Sequence, residues 1–419
     1  MKFAYFVLPH LGGTYSVFKS LRSGLGDYGI EVRWLGLCEA QFHLPIAMRQ
    51  EERFGSLLTM PADFDERACA RRMAEEIEAG GYDGVFINVL ADRLQTNIAR
   101  YLPESILRIV IVHNITPGTY AAARSIRDYA HATIGVSERC RFDLVEHYGF
   151  PAGRTYAIEN ALDVKAFVAG RAERASAIRV VAGHADAGHA QHGRADAARP
   201  LRCLFAGRIE DASKGVLWLR EILDALPETV TLTVVGTGPD LPRLKRRLAG
   251  HSKRVEYLGA MPPERIPSIM ARHDVLIMPS RYEGLPMTLI EAMAGGCVPV
   301  VSHIRGVSDT VVDDGETGFL FPVGNYRMAA QAVARLNGDR NLLARMSAAA
   351  GETVSERYDI RWMADRYHQV IRSLVADPPR LAPLLDIDNW AMPSGLRPGL
   401  RTYVPLPLKN WLRVVRERL

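Results

Sequence analysis

Only five of the 419 residues are cysteine, at Cys38, Cys69, Cys140, Cys203 and Cys297, and no two form a C-x-x-C pair. Scattered and odd in number, they argue against a disulfide framework or a structural zinc site and point to a reducing compartment. Long apolar runs are also missing. Nothing approaches the ~18 residues that a membrane-spanning helix needs. The stretch Phe3–Leu8 is too short for a signal-peptide core, and no small-residue cleavage site follows it. An excess of one charge is absent from most of the chain. The formal net charge is +5, and residues 392–419 account for all of it: Arg397, Arg401, Lys409, Arg413, Arg416 and Arg418 against the single acid Glu417. Residues 1–391 are therefore neutral, and no aromatic-basic platform is visible in them, which disfavours a nucleic-acid groove. What is present is ordinary: 48% hydrophobic and 24% charged residues. That composition excludes collagen-like, mucin-like and mostly disordered chains, and the length suggests two domains.

Short apolar runs alternate with amphipathic stretches. Lys2–Leu8, Glu31–Leu37, Val85–Leu90, Arg108–Val112, Ala132–Val136 and Thr155–Ile158 read as strands. Helical patterns run over about 16–28, 66–79 and 138–148. The rhythm restarts after residue 200, with strands at Leu201–Ala206, Val230–Val235, Val255–Leu258, Val275–Met278 and Val298–Val301. Helices are expected between them at 216–226, 241–249, 266–272 and 286–294, then at about 325–336, 341–357 and 360–376. This alternation predicts the α/β class, as two doubly wound, Rossmann-like parallel-sheet domains facing across a cleft. Ligands of such folds bind beyond the carboxyl ends of the strands. Residues 169–199, rich in Ala, Gly, His and Arg and without a period, read as a flexible linker or insertion. Its His184, His189 and His192 read as solvated, because no cysteine or acidic cluster joins them.

Four features fall at strand ends of the second half. GRIEDASKG, residues 207–215, follows a strand directly and carries Arg208 and Lys214. Two cations beside backbone N–H groups at a helix start suit a diphosphate. Gly236-Thr237-Gly238 lets backbone approach a ligand closely. In SRYEGLPMTLIEAMAGGCVPVV, residues 280–301, Glu283 lies in the loop after a strand, Pro286 suits the first helical position, and Glu291 sits on the second turn. The two carboxylates flank the Gly284-Leu285-Pro286 backbone and offer acceptors for hydroxyl groups. The stretch 314–320, DGETGFL, reads as a hairpin turn after Ser308 and Asp309.

In order and separation, these motifs resemble those of the family-4 retaining glycosyltransferases, which have the GT-B fold. The resemblance covers residues 200–375 strongly. It extends more loosely to Gly12 and Gly13 after the first strand, to His113 in VIVHNITPG, to Val136-Ser137-Glu138, and to IENALDVKAF at 158–167, where Ala161 stands for the family's glycine. It implies an acceptor-side domain at 1–168, a linker at 169–199, and a nucleotide-sugar-binding domain at 200–360. A crossing helix at 361–376 and a Pro-rich segment with a basic tail at 377–419 complete the chain. It also implies transfer of a sugar, with retention, from a nucleoside-diphosphate sugar to a hydroxyl acceptor. That acceptor would be a glycan or lipid-linked glycan of cell-envelope or polysaccharide synthesis.

By the same resemblance, Glu283 and His113 serve the reacting sugar. Gly12, Gly13, Arg208, Lys214, Gly236, Gly238, Gly284, Leu285, Pro286 and Glu291 hold the donor. Domain closure assembles the site, and the leaving phosphate assists deprotonation of the acceptor. No metal or other cofactor is expected, since cations can stabilise the departing diphosphate. Two D-x-D strings, Asp63–Asp65 and Asp386–Asp388, follow no strand at a plausible cleft and read as chance. The competing readings are another GT-B enzyme, such as a nucleotide-sugar epimerase, and a non-catalytic sugar-nucleotide-binding protein. A phosphorylase-like enzyme would be much longer. The segment LKNWLRVVRERL, 408–419, puts Leu408, Trp411, Leu412, Val415 and Leu419 on one helical face and Lys409, Arg413 and Arg416 on another. That pattern suits an anionic membrane surface or a helix docked by its apolar face. The expected location is cytoplasmic, peripheral to a membrane.

Overall fold

The computed structural model describes residues 1–39, 41–171, 199–399 and 403–418. The three histidines at 184, 189 and 192 lie outside the described residues, as does most of the 169–199 segment. The chain divides into two compact units, Met1–Ala161 with Ile360–Val404, and Leu162–Asp359 with Pro405–Leu419. Both are α/β, each built on one all-parallel sheet, as the alternating pattern predicts.

The first unit holds strands β1 (Lys2–Phe6), β2 (Glu31–Glu39), β3 (Gly55–Met60), β4 (Gly84–Ile87), β5 (Leu107–Val112), β6 (Ala132–Gly135) and β7 (Thr155–Ala157). They are arranged in the order β3-β2-β1-β4-β5-β6-β7. Central strands such as β4 and β5 are buried along their whole length, hence their mainly apolar sequences; Arg108 of β5 is buried too and donates to the Leu102 carbonyl. Phe3 stacks on Phe86 in the core, and Tyr5, Phe18 and Tyr367 extend the cluster through tilted and edge-on contacts. The helix Ile360–Ala376 buries Met363, Ala364, Tyr367, Val370, Ile371 and Leu374, a stripe spaced for one helical face. It packs on the helix Gly13–Gly26 at Gly24, where an added Cβ would come 2.6 Å from that of Ala364.

The second unit holds β8 (Leu201–Ala206), β9 (Val230–Val235), β10 (Val255–Gly259), β11 (Val275–Met278), β12 (Val298–His303) and β13 (Phe319–Pro322), in the order β10-β9-β8-β11-β12-β13. Chain direction through the sheet reverses between β8 and β11, so their following loops diverge and leave a crevice. Those loops are 207–215 and 279–286, the two that carry the cations and Glu283.

Three local expectations are corrected. Residues 314–320 do not form a β-hairpin. The turn at Asp314–Gly318 feeds β13, which pairs parallel with β12 from Val300↔Phe319 to His303↔Pro322. Pro286 is not the first helical residue but the cap of the helix Met287–Ala294, with ψ 114°. No regular helix opens directly on the 207–215 loop either. A single turn, Asp211–Lys214, ends at Gly215 (φ 60°), where a Cβ would meet the Pro279 carbonyl oxygen at 2.1 Å. A 3-10 turn at Val216–Trp218 then leads into the helix Leu219–Asp224.

Candidate active site

In the second unit the two crevice loops are tied to each other. Lys214 Nζ donates to Glu283 Oε1 at 2.5 Å, and Ser280 Oγ donates to the same oxygen at 2.7 Å. Glu283 is buried, and its other oxygen accepts no hydrogen bond among the described residues. Lys214 keeps partial access to solvent, while the Arg208 side chain is 68% exposed and lies 3.6 Å from Glu210. The loops are also braced behind these groups. Arg281 pairs with Asp211 at 2.9 Å and lies over the Trp218 ring, 3.8 Å from its centroid. Asp240 accepts the Asp211 backbone N–H at 2.8 Å.

Gly236 and Gly238 have a packing role that their types alone did not specify. A Cβ on Gly236, whose φ is +126°, would fall 1.9 Å from the Gly207 oxygen; one on Gly238 would fall 2.4 Å from that of Ile209. Glycine at these positions lets the loop after β9 lie directly on the loop after β8.

Gly284, Leu285 and Pro286 are buried in the loop ahead of the helix Met287–Ala294. Glu291, on the second turn of that helix, is partly accessible and makes no hydrogen bond or ion pair with Lys214, Arg208 or Glu283. Burial pushes its carboxyl up to about 7.

In the first unit, Gly12 caps the helix Gly13–Gly26 in extended conformation, and the His10 ring occupies the space of its missing Cβ at 2.6 Å. His113 follows β5, with Nε2 3.5 Å from the Tyr5 hydroxyl. Burial lowers its pKa to about 4, so near neutral pH it is an uncharged hydrogen-bonding group. Asn88, the residue after β4, went unnoticed in the sequence. It is 4% exposed, and neither its amide nitrogen nor its oxygen has a partner among the described residues. The available signal was a polar residue closing a fully buried strand, at the sheet end where ligands collect.

The D-x-D strings have local duties. Asp65 caps the helix Glu66–Ala79 by accepting from the Ala68 N–H at 2.8 Å, and Asp388 pairs with Arg71.

The helix Leu406–Arg418 sits on the second unit through its basic side. Arg413 donates to the Ala212 carbonyl and Arg418 to that of Val323, while Leu406, Leu408, Trp411 and Leu412 are exposed. Docking by the apolar face is therefore not what the structure has. No helix among the described residues is long and apolar enough to cross a membrane.

Residues 200–339 match the family model described as Glycosyl transferases group 1. Among curated proteins, the chain is 31% identical over 182 residues to the alpha-D-kanosaminyltransferase of Streptomyces kanamyceticus, covering 42% of this chain and 46% of that protein. It is 32% identical over 178 residues to the phosphatidyl-myo-inositol mannosyltransferase of Mycobacterium leprae, covering 41% and 46%. The chain thus spans less than half the length of these relatives. Among solved structures, Anabaena HepE in complex with UDP and glucose superposes with a TM-score of 0.69 at 19% identity, over 89% of this chain and all of that one. A glycosyltransferase from Rickettsia africae gives 0.67 at 17% identity, over 90% and 99%. The tied loops, the glycine-packed strand ends and the segment that matches the group 1 glycosyl transferases coincide in the second unit, and the chain has the GT-B fold.

Proposed function

We propose that the protein is a retaining glycosyltransferase that moves a sugar from a nucleoside-diphosphate sugar to a hydroxyl acceptor. The observation that carries this reading is the Lys214–Glu283 pair, which joins the two loops at the β8/β11 crevice inside the segment that matches the family. Lys214 and Arg208 would meet the charge of the departing diphosphate. Glu291 would accept ribose hydroxyls, and the free oxygen of Glu283 would accept one from the donor sugar. His113, neutral near pH 7, would bond a sugar hydroxyl without adding positive charge. The leaving phosphate, rather than a protein base, would take the acceptor proton. No metal is required in this scheme.

A structural neighbour holds UDP and glucose, which makes UDP-sugars the first donors to test. One relative is named for a lipid, phosphatidyl-myo-inositol, which supports a lipid-linked acceptor; a glycan of the cell envelope is our extension of that reading. The exposed Leu406, Leu408, Trp411 and Leu412, beside the basic side chains of the same helix, support peripheral contact with an anionic bilayer.

A panel of UDP-, GDP- and ADP-sugars read by thermal shift identifies the donor, since a ligand that binds only the native state raises its apparent stability. The anomeric configuration of the product, read by NMR, tests retention. Lys214→Ala and Glu283→Ala should each lower turnover about 100-fold or more with the fold intact. Near-normal turnover in both variants, or an inverted product, overturns the proposal. Co-sedimentation with anionic vesicles should fall when Leu408 and Trp411 are both changed to Glu, and equal binding removes the membrane contact.

A further inference from the structure

The helix Leu406–Arg418 reaches the same two loops that Lys214 and Glu283 join. Arg413 Nη1 donates to the Ala212 carbonyl at 3.1 Å, and its guanidinium lies over the Tyr282 ring, 4.4 Å from the centroid. Ala212 is two residues before Lys214, and Tyr282 immediately precedes Glu283. One guanidinium therefore bridges the loop after β8 and the loop after β11 at a second point.

The seat of the helix supports this. Asn410 Oδ1 accepts from the same Nη1 at 3.2 Å and orients the group. Further along, Arg418 Nε donates to the Val323 carbonyl at 2.9 Å, and Arg305 donates to the Arg416 carbonyl at 3.4 Å. These contacts follow β8, β11, β12 and β13 in turn, so the helix runs along the carboxyl edge of the sheet, where the crevice opens. The residue type matters. A planar guanidinium can stack on an aromatic ring and donate in its own plane to a carbonyl at once, whereas an ammonium cannot do both with the same geometry. The bridged loop, bounded by Gly207 (φ 145°) and Gly215 (φ 60°), is held from the loop after β11 through Lys214–Glu283 and Asp211–Arg281. What fixes it from outside thus bears on how it presents Lys214.

We infer that Arg413 is a positioning residue for the diphosphate-binding loops, and that the last helix is a brace whose docking sets donor affinity. This rests on the reading of 207–215 and 280–286 as the donor site. By linkage, a contact that stabilises the ligand-competent loop must be felt in ligand affinity.

The test uses the full chain as wild type, Arg413→Ala and Arg413→Lys. UDP, GDP and ADP binding is measured by calorimetry, donor KM and kcat by turnover, and amide exchange at 207–215 by mass spectrometry. Arg413→Ala should weaken the nucleotide that the wild type binds by about 5- to 20-fold. Donor KM should rise by a similar factor with kcat nearly unchanged, and exchange at 207–215 should quicken. Arg413→Lys should fall between the two. Unchanged affinity and KM in Arg413→Ala, beside a wild type that binds nucleotide, overturn the brace and leave the donor site standing. A wild type that binds none of UDP, GDP and ADP overturns the donor-site reading, and the brace falls with it.

Discussion

Glu291 offers the sharpest quantitative test. Its carboxyl has an ordinary value of 4.5 and is pushed by burial to about 7 in the folded chain. Between those two values the native state holds a proton that the unfolded state has released. Stability therefore falls as pH rises across that window; the favourable contribution is complete below 4.5 and lost above 7. Each tenfold change in proton affinity corresponds to about 1.4 kcal/mol, so the ionised form costs the fold up to about 3 kcal/mol near pH 8. Glu291→Gln keeps the shape and one acceptor oxygen but cannot ionise. In urea unfolding it should match the wild type near pH 4.5 and exceed it by up to about 3 kcal/mol near pH 8. Comparing the two proteins at each pH cancels the titration of every other group. If the ionised carboxylate accepts ribose hydroxyls, nucleotide binding should tighten as pH rises through 7 and release up to one proton. Calorimetry in two buffers of different ionisation enthalpy reads that proton directly, and Glu291→Gln should abolish it while weakening binding. A difference between variant and wild type that stays within about 0.5 kcal/mol from pH 5 to 8 would refute the reasoning.

Other substitutions probe different links of the argument. Gly236→Ala forces a Cβ into the Gly207 carbonyl at a left-handed backbone position; urea unfolding should show a loss of about 2 kcal/mol or more, with weaker nucleotide binding as the 207–215 loop is displaced. Asn88→Leu removes an amide buried without partners and should raise stability by about 1 kcal/mol in the same assay; a loss would reveal a bound water or ligand on that amide. His113 and His131 are both held neutral by burial, each lowered to about 4. The folded state therefore resists protonation, and each histidine's contribution should fall by up to about 3 kcal/mol as pH drops from 6.5 through 4, read in urea unfolding as the difference between wild type and His131→Gln, which cancels the opposing titration of Glu291. Gly24→Leu should separate the helices Gly13–Gly26 and Ile360–Ala376 and lower the melting temperature by several degrees, about 1–3 kcal/mol of overpacking.

How much of this was legible depends on what each feature needs. Strands β8 and β11 are central, and their apolar runs, Leu201–Ala206 and Val275–Met278, announce them without ambiguity. Strands β3 and β13 sit at sheet edges and bury a single residue each, Leu58 and Phe321, so GSLLTM and FLFP carry no clear period; the first shows no strand signal in the sequence, and the second reads there as part of a turn. Lys214 and Glu283 were each recognisable from their motifs, but their pairing spans 69 positions and follows only from β8 and β11 being neighbours. The last helix shows the same limit from another side. Its amphipathic spacing identifies two faces but not which one meets the protein. In the structure, the carbonyl groups of Ala212 and Val323, beyond the strands, accept from guanidinium groups of this helix and offer nothing to leucine. With arginine matched to those carbonyls, Leu406, Leu408, Trp411 and Leu412 turn outward, and the helix that contacts the loops 207–215 and 279–286 is also the one that exposes Trp411. A bilayer taking up that face would act on an element already bonded to the loop of Lys214.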